Sequence, residues 1–259
     1  VRGVRRRSFG QAVVLWFGSF FGVGRAEPAA AAVASMDQRI CGFRPLDYVA
    51  IPMVPLLVSA ALPWPPATST APGAWPDNYS VAPRTGAVSS GPDGIGEITL
   101  VTPFTAGALP PGQTASQWLW LTAGAADFAW LAEQVRVGLE PIDLVAQGGQ
   151  LALAPDGTLR LPLADLPTVP QADLLQTALE AIRGQKRIWP VGNVIAIGGD
   201  PPACLVTGFV GGTVVDCHRD VGAITIVVQA CSVQTCTGLL RGTTVRSPWI
   251  GKLILHQSK

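Results

Sequence analysis

The chain has 259 residues, 48% hydrophobic and 14% charged, with a formal net charge of +1 and a mean hydropathy of +0.36. That balance excludes an intrinsically disordered chain, which combines low hydrophobicity with high net charge. The 29 glycines and 23 prolines argue against a helical bundle, and two histidines with 17 acids provision a large polar active site poorly.

Residues 1–26 hold five of the 18 basic residues, among them Arg2, Arg5, Arg6 and Arg7, and no acid. An uncharged apolar run over 12–24 follows, then Arg25 and Ala26. Basic, then apolar, then small is the order of an export signal, here with a cut expected near Ala26. Thirteen apolar residues are short for a bilayer core of ~30 Å. Arg6-Arg7-Ser8-Phe9 resembles the twin-arginine export motif, which implies an extracytoplasmic protein: secreted, periplasmic or in the envelope. The competing reading is an upstream extension, with translation starting at Met36. The chain beyond residue 26 carries 13 basic and 17 acidic groups, net −4. It lacks the clustered Lys and Arg that hold phosphate backbones, so no nucleic-acid partner is expected.

Residues 27–94 are rich in alanine, proline, serine and glycine, the composition of a linker or extended arm. Within them an apolar island over 49–64 is broken by Pro52, Pro55 and Pro63, which remove backbone donors and kink helices. The island reads as a strand-like arm docked on a partner, with Val54, Leu56, Leu57 and Trp64 as contact residues. Its second reading is a membrane-surface segment. Asn78-Tyr79-Ser80 is a glycosylation sequon that matters only in a host that glycosylates.

Residues 95–187 read as α+β. Strand character runs over 97–104. Thr122 is placed to cap a helix reaching Val137, with Phe128, Leu131 and Val135 on one face and Gly138 at the stop. Residues 150–154 and 158–163 alternate about Pro155-Asp156-Gly157, a hairpin signal. Residues 170–183 carry the clearest helix pattern. Pro170 fits its first turn, Leu175, Ala178, Leu179 and Ile182 form its stripe, and Gly184 ends it. Trp118 and Trp120 face one side if their segment is a strand. With Trp130 they read as core or subunit contact, and alternatively as a stacking platform for sugar rings.

Residues 188–259 read as strands over 191–197, 203–207, 213–217, 223–230, 237–240 and 252–256. Four of the five cysteines stand here. A hairpin turning at Gly211 and Gly212 would bring Cys204 opposite Cys217, and Cys231 and Cys236 bracket the tip of a second, so both pairs are disulfide candidates in an oxidising compartment. Free buried thiols and a metal site are the alternatives; the spacing is irregular for zinc, and Cys41 is left over. His218-Arg219-Asp220 copies a kinase catalytic-loop tripeptide without its companion motifs and reads as a polar turn. His256 lies near the chain end. Among the acids, Asp127, Glu133, Asp200 and Asp216 cannot be placed relative to one another, so a glycosidase-type pair stays open. No motif asks for a cofactor or a metal, and no catalytic residue is assigned.

The run Asn193-Val-Ile-Ala-Ile-Gly, followed by residues 203–219, resembles a small β module of tailed-phage virion structural proteins. In that module an apolar strand ends in Ile-Gly, a second carries Val-Thr, and a third follows a glycine turn and ends near an Arg. The resemblance implies a structural part of a particle. The expected fold class is α+β and β-rich: antiparallel hairpins with two helices and a C-terminal all-β region. The expected function is a non-catalytic structural or adhesive component of an extracellular, envelope or virion assembly, acting through protein partners or self-assembly by the arm. The alternative is an exported carbohydrate-binding protein or hydrolase. No particular small-molecule ligand is implied.

Overall fold

The structure, a computed structural model, describes residues 2–4, 13–14, 25–26, 31–65, 75–103, 118–122, 124, 127–164, 167–196, 203–220, 222–240 and 247–257. They form two units, Gln38–Lys252 and a smaller one of Val1–Asp37 with Leu253–Lys259. In the smaller unit Arg2–Val4 pairs antiparallel with residues 31–33, and Val13–Val14 with Arg25–Ala26. Most of the segment read as an export signal lies outside the described residues, as do Phe104, Ile197 and Asp200.

The larger unit runs β1 (Ile40–Phe43), β2 (Leu56–Ser59), β3 (Tyr79–Val81), β4 (Val88–Ser90), β5 (Glu97–Pro103), β6 (Trp118–Trp120), α1 (Phe128–Val137), a 3-10 helix (Pro141–Gln147), β7 (Leu151–Ala152), β8 (Leu159–Pro162), α2 (Val169–Ala181), β9 (Lys186–Ala196), β10 (Ala203–Asp220), β11 (Ala223–Ala230), β12 (Val233–Thr235) and β13 (Gly238–Leu240). The fold is therefore α+β and β-rich. A seven-stranded sheet has the order β6-β2-β9-β10-β11-β5, with β8 also on β10. Its pairs are antiparallel except β2 with β9. A three-stranded sheet has the order β7-β1-β13, and β3 pairs β4.

Alternation along the strands sends side chains to two cores. Leu56, Leu100, Trp189, Val214 and Ile226 pack with Leu131, Val135, Leu175 and Leu179 of the two helices. Leu57, Ile188, Val206 and Phe209 pack on the other side with Phe43, Leu144 and Leu151. Phe43 and Phe209 meet edge to face, with ring centroids 4.9 Å apart.

α2 forms where its pattern placed it. Pro170 occupies its first turn, and Gln171 reaches back to accept the Thr168 N–H at 2.7 Å. α1 starts later than expected. Its cap is Asp127, which accepts the Trp130 N–H at 2.8 Å, not Thr122. The Thr122 N–H is already engaged by the Pro162 carbonyl.

Two larger corrections concern strands. The turn at 155–157 forms, with Thr158 donating twice to Asp156, but its arms diverge. β7 joins β1 and β8 joins β10, so one hairpin links two sheets. The second correction is β10. The hairpin expected about Gly211 and Gly212 does not form, and 203–220 is one continuous strand. These glycines give space rather than a bend. A Cβ on Gly211 would lie 2.3 Å from the Cys231 carbonyl oxygen. One on Gly212 would lie 2.5 Å from Val228 and 3.0 Å from each of the Trp189 and Trp64 rings. Both indoles use that space, donating to the Gly211 and Gly212 carbonyls at 3.2 Å.

Candidate functional site

The island over 49–64 is not a free arm. Ile51, Met53, Val54, Leu56, Leu57 and Val58 are each at most 2% exposed in the chain's own core. The prolines are compatible with this because their neighbours make the bonds. The Ile188 N–H donates to Pro52 O at 2.8 Å, the Val54 N–H to Ile188 O at 3.0 Å, and the Leu121 N–H to Pro55 O at 2.9 Å. Val54, Leu56 and Leu57 are thus core residues, which corrects their expected role as partner contacts. Trp120 is buried with them at 2% exposure, so it offers no stacking platform. Trp118 pairs by backbone with Val58, and its side chain lies outside the described residues. Trp130 is partly exposed on α1, with its indole N–H donating to Asp143 at 2.6 Å.

Trp64 instead lines a cleft of about 770 Å³ with Trp249, Phe209, Val191, Thr207 and Asp156. The Trp249 indole donates to Pro65 O at 3.2 Å. Both indole N–H groups are therefore spent on backbone, and the rings serve the cleft as apolar surface. Its one lining carboxylate, Asp156, is held by Thr158. Paired-carboxylate hydrolysis needs two acids about the scissile bond, and among the described residues lining this cleft Asp156 is the one acid.

The other acids stand apart. Asp127 caps α1 and Glu133 pairs with Arg136 at 2.5 Å. Asp216, on the strand expected over 213–217, is joined on β10 by His218 and Asp220, which sequence reading placed in a turn. Residues 216, 218 and 220 share one strand face. His218 Nδ1 stands 3.3 Å from Asp216 and Nε2 3.7 Å from Asp220. The Tyr79 hydroxyl donates to Asp216 at 3.1 Å and the Thr225 hydroxyl to Asp220 at 2.6 Å. Burial first, and the bond to Asp216 second, push the Tyr79 hydroxyl above its ordinary pKa. The row thus holds the His218 imidazole between two carboxylates. No group of three His, Cys, Asp or Glu among the described residues has a metal-binding arrangement.

All five cysteines are free thiols. Cys204 and Cys217 sit thirteen residues apart on one extended strand, about 40 Å at ~3.3 Å per residue, far beyond disulfide reach. That pairing is corrected with the hairpin on which it rested. Cys231, expected opposite Cys236, instead accepts from the Thr213 hydroxyl at 3.4 Å, and Cys236 is exposed beyond β12. Burial pushes the Cys204 thiol up to about 11 and the Cys217 thiol up to about 12.

Sequence reading missed Glu97, on β5 at the edge of the large sheet. It is buried to 1% exposure and accepts the backbone N–H groups of Asn78 and Tyr79 at 3.1 and 2.7 Å. Burial outweighs these donors and raises its carboxyl above the ordinary 4.5. A carboxyl raised in the folded state stabilises fully below its unfolded pKa and loses that contribution as pH rises through the folded value. Urea midpoints should therefore fall as pH rises from 4.5 towards neutrality. Glu97→Gln should flatten that slope; a profile unchanged by the substitution would remove Glu97 as its source.

Also missed was an exposed apolar surface. Tyr48 is 98% exposed in the loop 46–49, closed by paired bonds between Leu46 and Val49 at 3.0 and 3.1 Å. Leu46, Tyr48, Val49, Val137 and Pro141 rim one cavity, and Ile142 and Val145 of the adjoining 3-10 helix are 61% and 69% exposed. The residues of the cavity rim come from two stretches far apart in sequence, 46–49 and 137–141, and Ile142 follows directly on the second. No helix among the described residues is long and apolar enough to cross a membrane. Comparison of the chain with protein-family models, curated proteins and solved structures finds no match.

Proposed function

We propose that this chain is a non-catalytic structural or adhesive component of an assembly outside the cytoplasm or within a particle. The contacts are made by the surface around Tyr48, Ile142 and Val145. The observation that carries this reading is the exposure of Tyr48 on the 46–49 loop and of Ile142 and Val145 on the 3-10 helix, whose first residue, Pro141, rims the same cavity as the loop. Clustered exposed apolar residues mark contact surfaces more often than scattered ones do. The loop backbone is pinned and the helix is capped by Asp143, whose carboxylate accepts the Glu140 N–H at 2.7 Å. Little ordering entropy then opposes association.

Sedimentation velocity across a concentration series tests the reading. The wild-type chain is expected to associate as concentration rises. The double variant Ile142→Asp, Val145→Asp should stay monomeric with an unchanged circular dichroism spectrum. A wild-type chain that remains a single monomer throughout would overturn it.

A carbohydrate-binding reading has one observation in its favour, the cleft walled by Trp64 and Trp249. Oligosaccharide titration monitored by tryptophan fluorescence distinguishes it, since bound sugar would perturb the wall indoles.

A further inference from the structure

We infer that the cavity between the β3–β4 turn and the start of β9 is a binding site for a small phosphomonoester, whose dianionic head is held by Arg84 and Lys186. The cavity measures about 450 Å³, within the ordinary range of small-molecule sites. Among the described residues its lining includes these two cations and no carboxylate. It therefore reverses the sign of the chain around it, which beyond residue 26 is net −4. It shares no lining residue with the cavity at the 46–49 loop and needs no self-association of the chain.

The backbone fixes where both cations start. Arg84 lies in the turn 82–87, closed by the Ala82 N–H on the Ala87 carbonyl and the Gly86 N–H on the Ala82 carbonyl, both at 2.9 Å. Lys186 is the first residue of β9. The two stretches touch at Gly86 and Gly184, where a Cβ on Gly86 would lie 2.7 Å from the Gly184 carbonyl oxygen. Each cation is two residues from that contact, so the glycine pair sets the distance between their anchors. Lys186 Nζ donates to the Ser232 carbonyl at 3.4 Å, a neutral acceptor that leaves its charge without a counter-ion. Arg84 has no hydrogen-bond or ion-pair partner among the described residues. The Cys231 thiol on the same wall senses the ammonium: burial pushes its pKa up most, while the Thr213 hydroxyl and Lys186 pull against the rise. Asp93 adjoins the wall but is committed to the frame. Its oxygens accept from Gln229 Nε2 at 3.1 Å and from the Ile95 and Val81 N–H groups at 2.9 and 3.3 Å.

The donors select the ligand. Two cations on one cavity match a dianion, whereas a monoanion answers only one of them. The Arg84 fork suits two phosphate oxygens side by side, and the Lys186 ammonium acts as a point charge on a third. Thr85 Oγ1 accepts from the Ala87 N–H at 3.3 Å, which leaves its own proton for a ligand oxygen. A phosphate group alone fills only part of the volume. Val81, Pro83, Ile95 and Ala230 also line the cavity and suit a compact apolar body rather than a further charge.

Isothermal titration of the full chain with phenyl phosphate tests the inference, at about pH 7.5, above the second phosphate pKa of about 6. Phenyl phosphate should bind. Phenyl sulfate, of the same shape with one negative charge fewer, should bind at least about tenfold more weakly, the loss expected for removing a charge-assisted bond. Arg84→Met and Lys186→Met should each weaken phenyl phosphate by about tenfold. Both side chains are exposed, so neither variant threatens the fold. Arg160→Met removes an exposed cation of β8 that does not line the cavity and should leave the affinity unchanged. No binding of phenyl phosphate, equal binding of phenyl sulfate, affinity untouched by either cavity variant, or an equal loss in Arg160→Met would overturn it.

Discussion

Deleting residues 49–64 is expected to abolish cooperative folding of the unit Gln38–Lys252, not merely its association. The segment contributes Ile51, Met53, Val54, Leu56, Leu57 and Val58 to the two cores, all essentially buried. Burying each such side chain is worth roughly 1.5–3 kcal/mol. Six together rival the ~5–15 kcal/mol by which a whole domain is stable. The deletion also removes β2, which lies between β6 and β9, and leaves backbone groups of both unpaired. Circular dichroism and urea unfolding of the deletion variant should show no sigmoidal transition. The point substitution Leu56→Ala should lower stability by about 2–5 kcal/mol. A deletion variant that unfolds cooperatively with the wild-type midpoint would refute this placement of the segment.

Trp189→Ala carries the second large effect. Trp189 is fully buried, its ring lies on the face that packs against both helices, and its N–H donates to Gly212 O. Truncation leaves a void and strips that carbonyl of a donor. A loss of about 3–5 kcal/mol is expected, read as a shift of the urea midpoint at constant slope. Gly212→Ala attacks the same contact from the other side, since its new methyl would press on the Trp189 and Trp64 rings. The two substitutions share one packing site and should be non-additive. Strict additivity would mean that ring and glycine do not act together.

Local signals were legible where chemistry along the chain decided the outcome. α2 follows from Pro170, a 3.6-residue stripe and Gly184, all within one segment. The strand over 223–230 follows from its β-branched run. What was not legible depended on residues far away in sequence. Gly211 and Gly212 carry the same local signal whether a chain turns there or a tryptophan from another strand lies over them. Trp64 and Trp189 decide between the two. Prolines at 52 and 55 look like interruptions until β9 and Leu121 are seen to use their carbonyls. His218 and Asp220 continue the two-residue period of the strand face that Asp216 begins, yet the polarity of 218–220 reads as a turn. For the candidate sites the gap is wider. Arg84 and Lys186 lie far apart in sequence and look like any surface cations until the fold sets them on one cavity.

The partners of β2 have a consequence for synthesis on the ribosome. Val58 pairs with Val191, so the 49–64 segment emerges about 130 residues before the strand that covers it. At ~5–20 residues per second that interval lasts roughly 7 to 27 s, during which an apolar run with only the three-residue β6 available as a native strand partner is open to other chains. Long sequence separation between paired strands also slows folding itself. The nascent chain should then be a substrate for holding chaperones that bind short apolar segments, until the arrival of β9 withdraws the site from them.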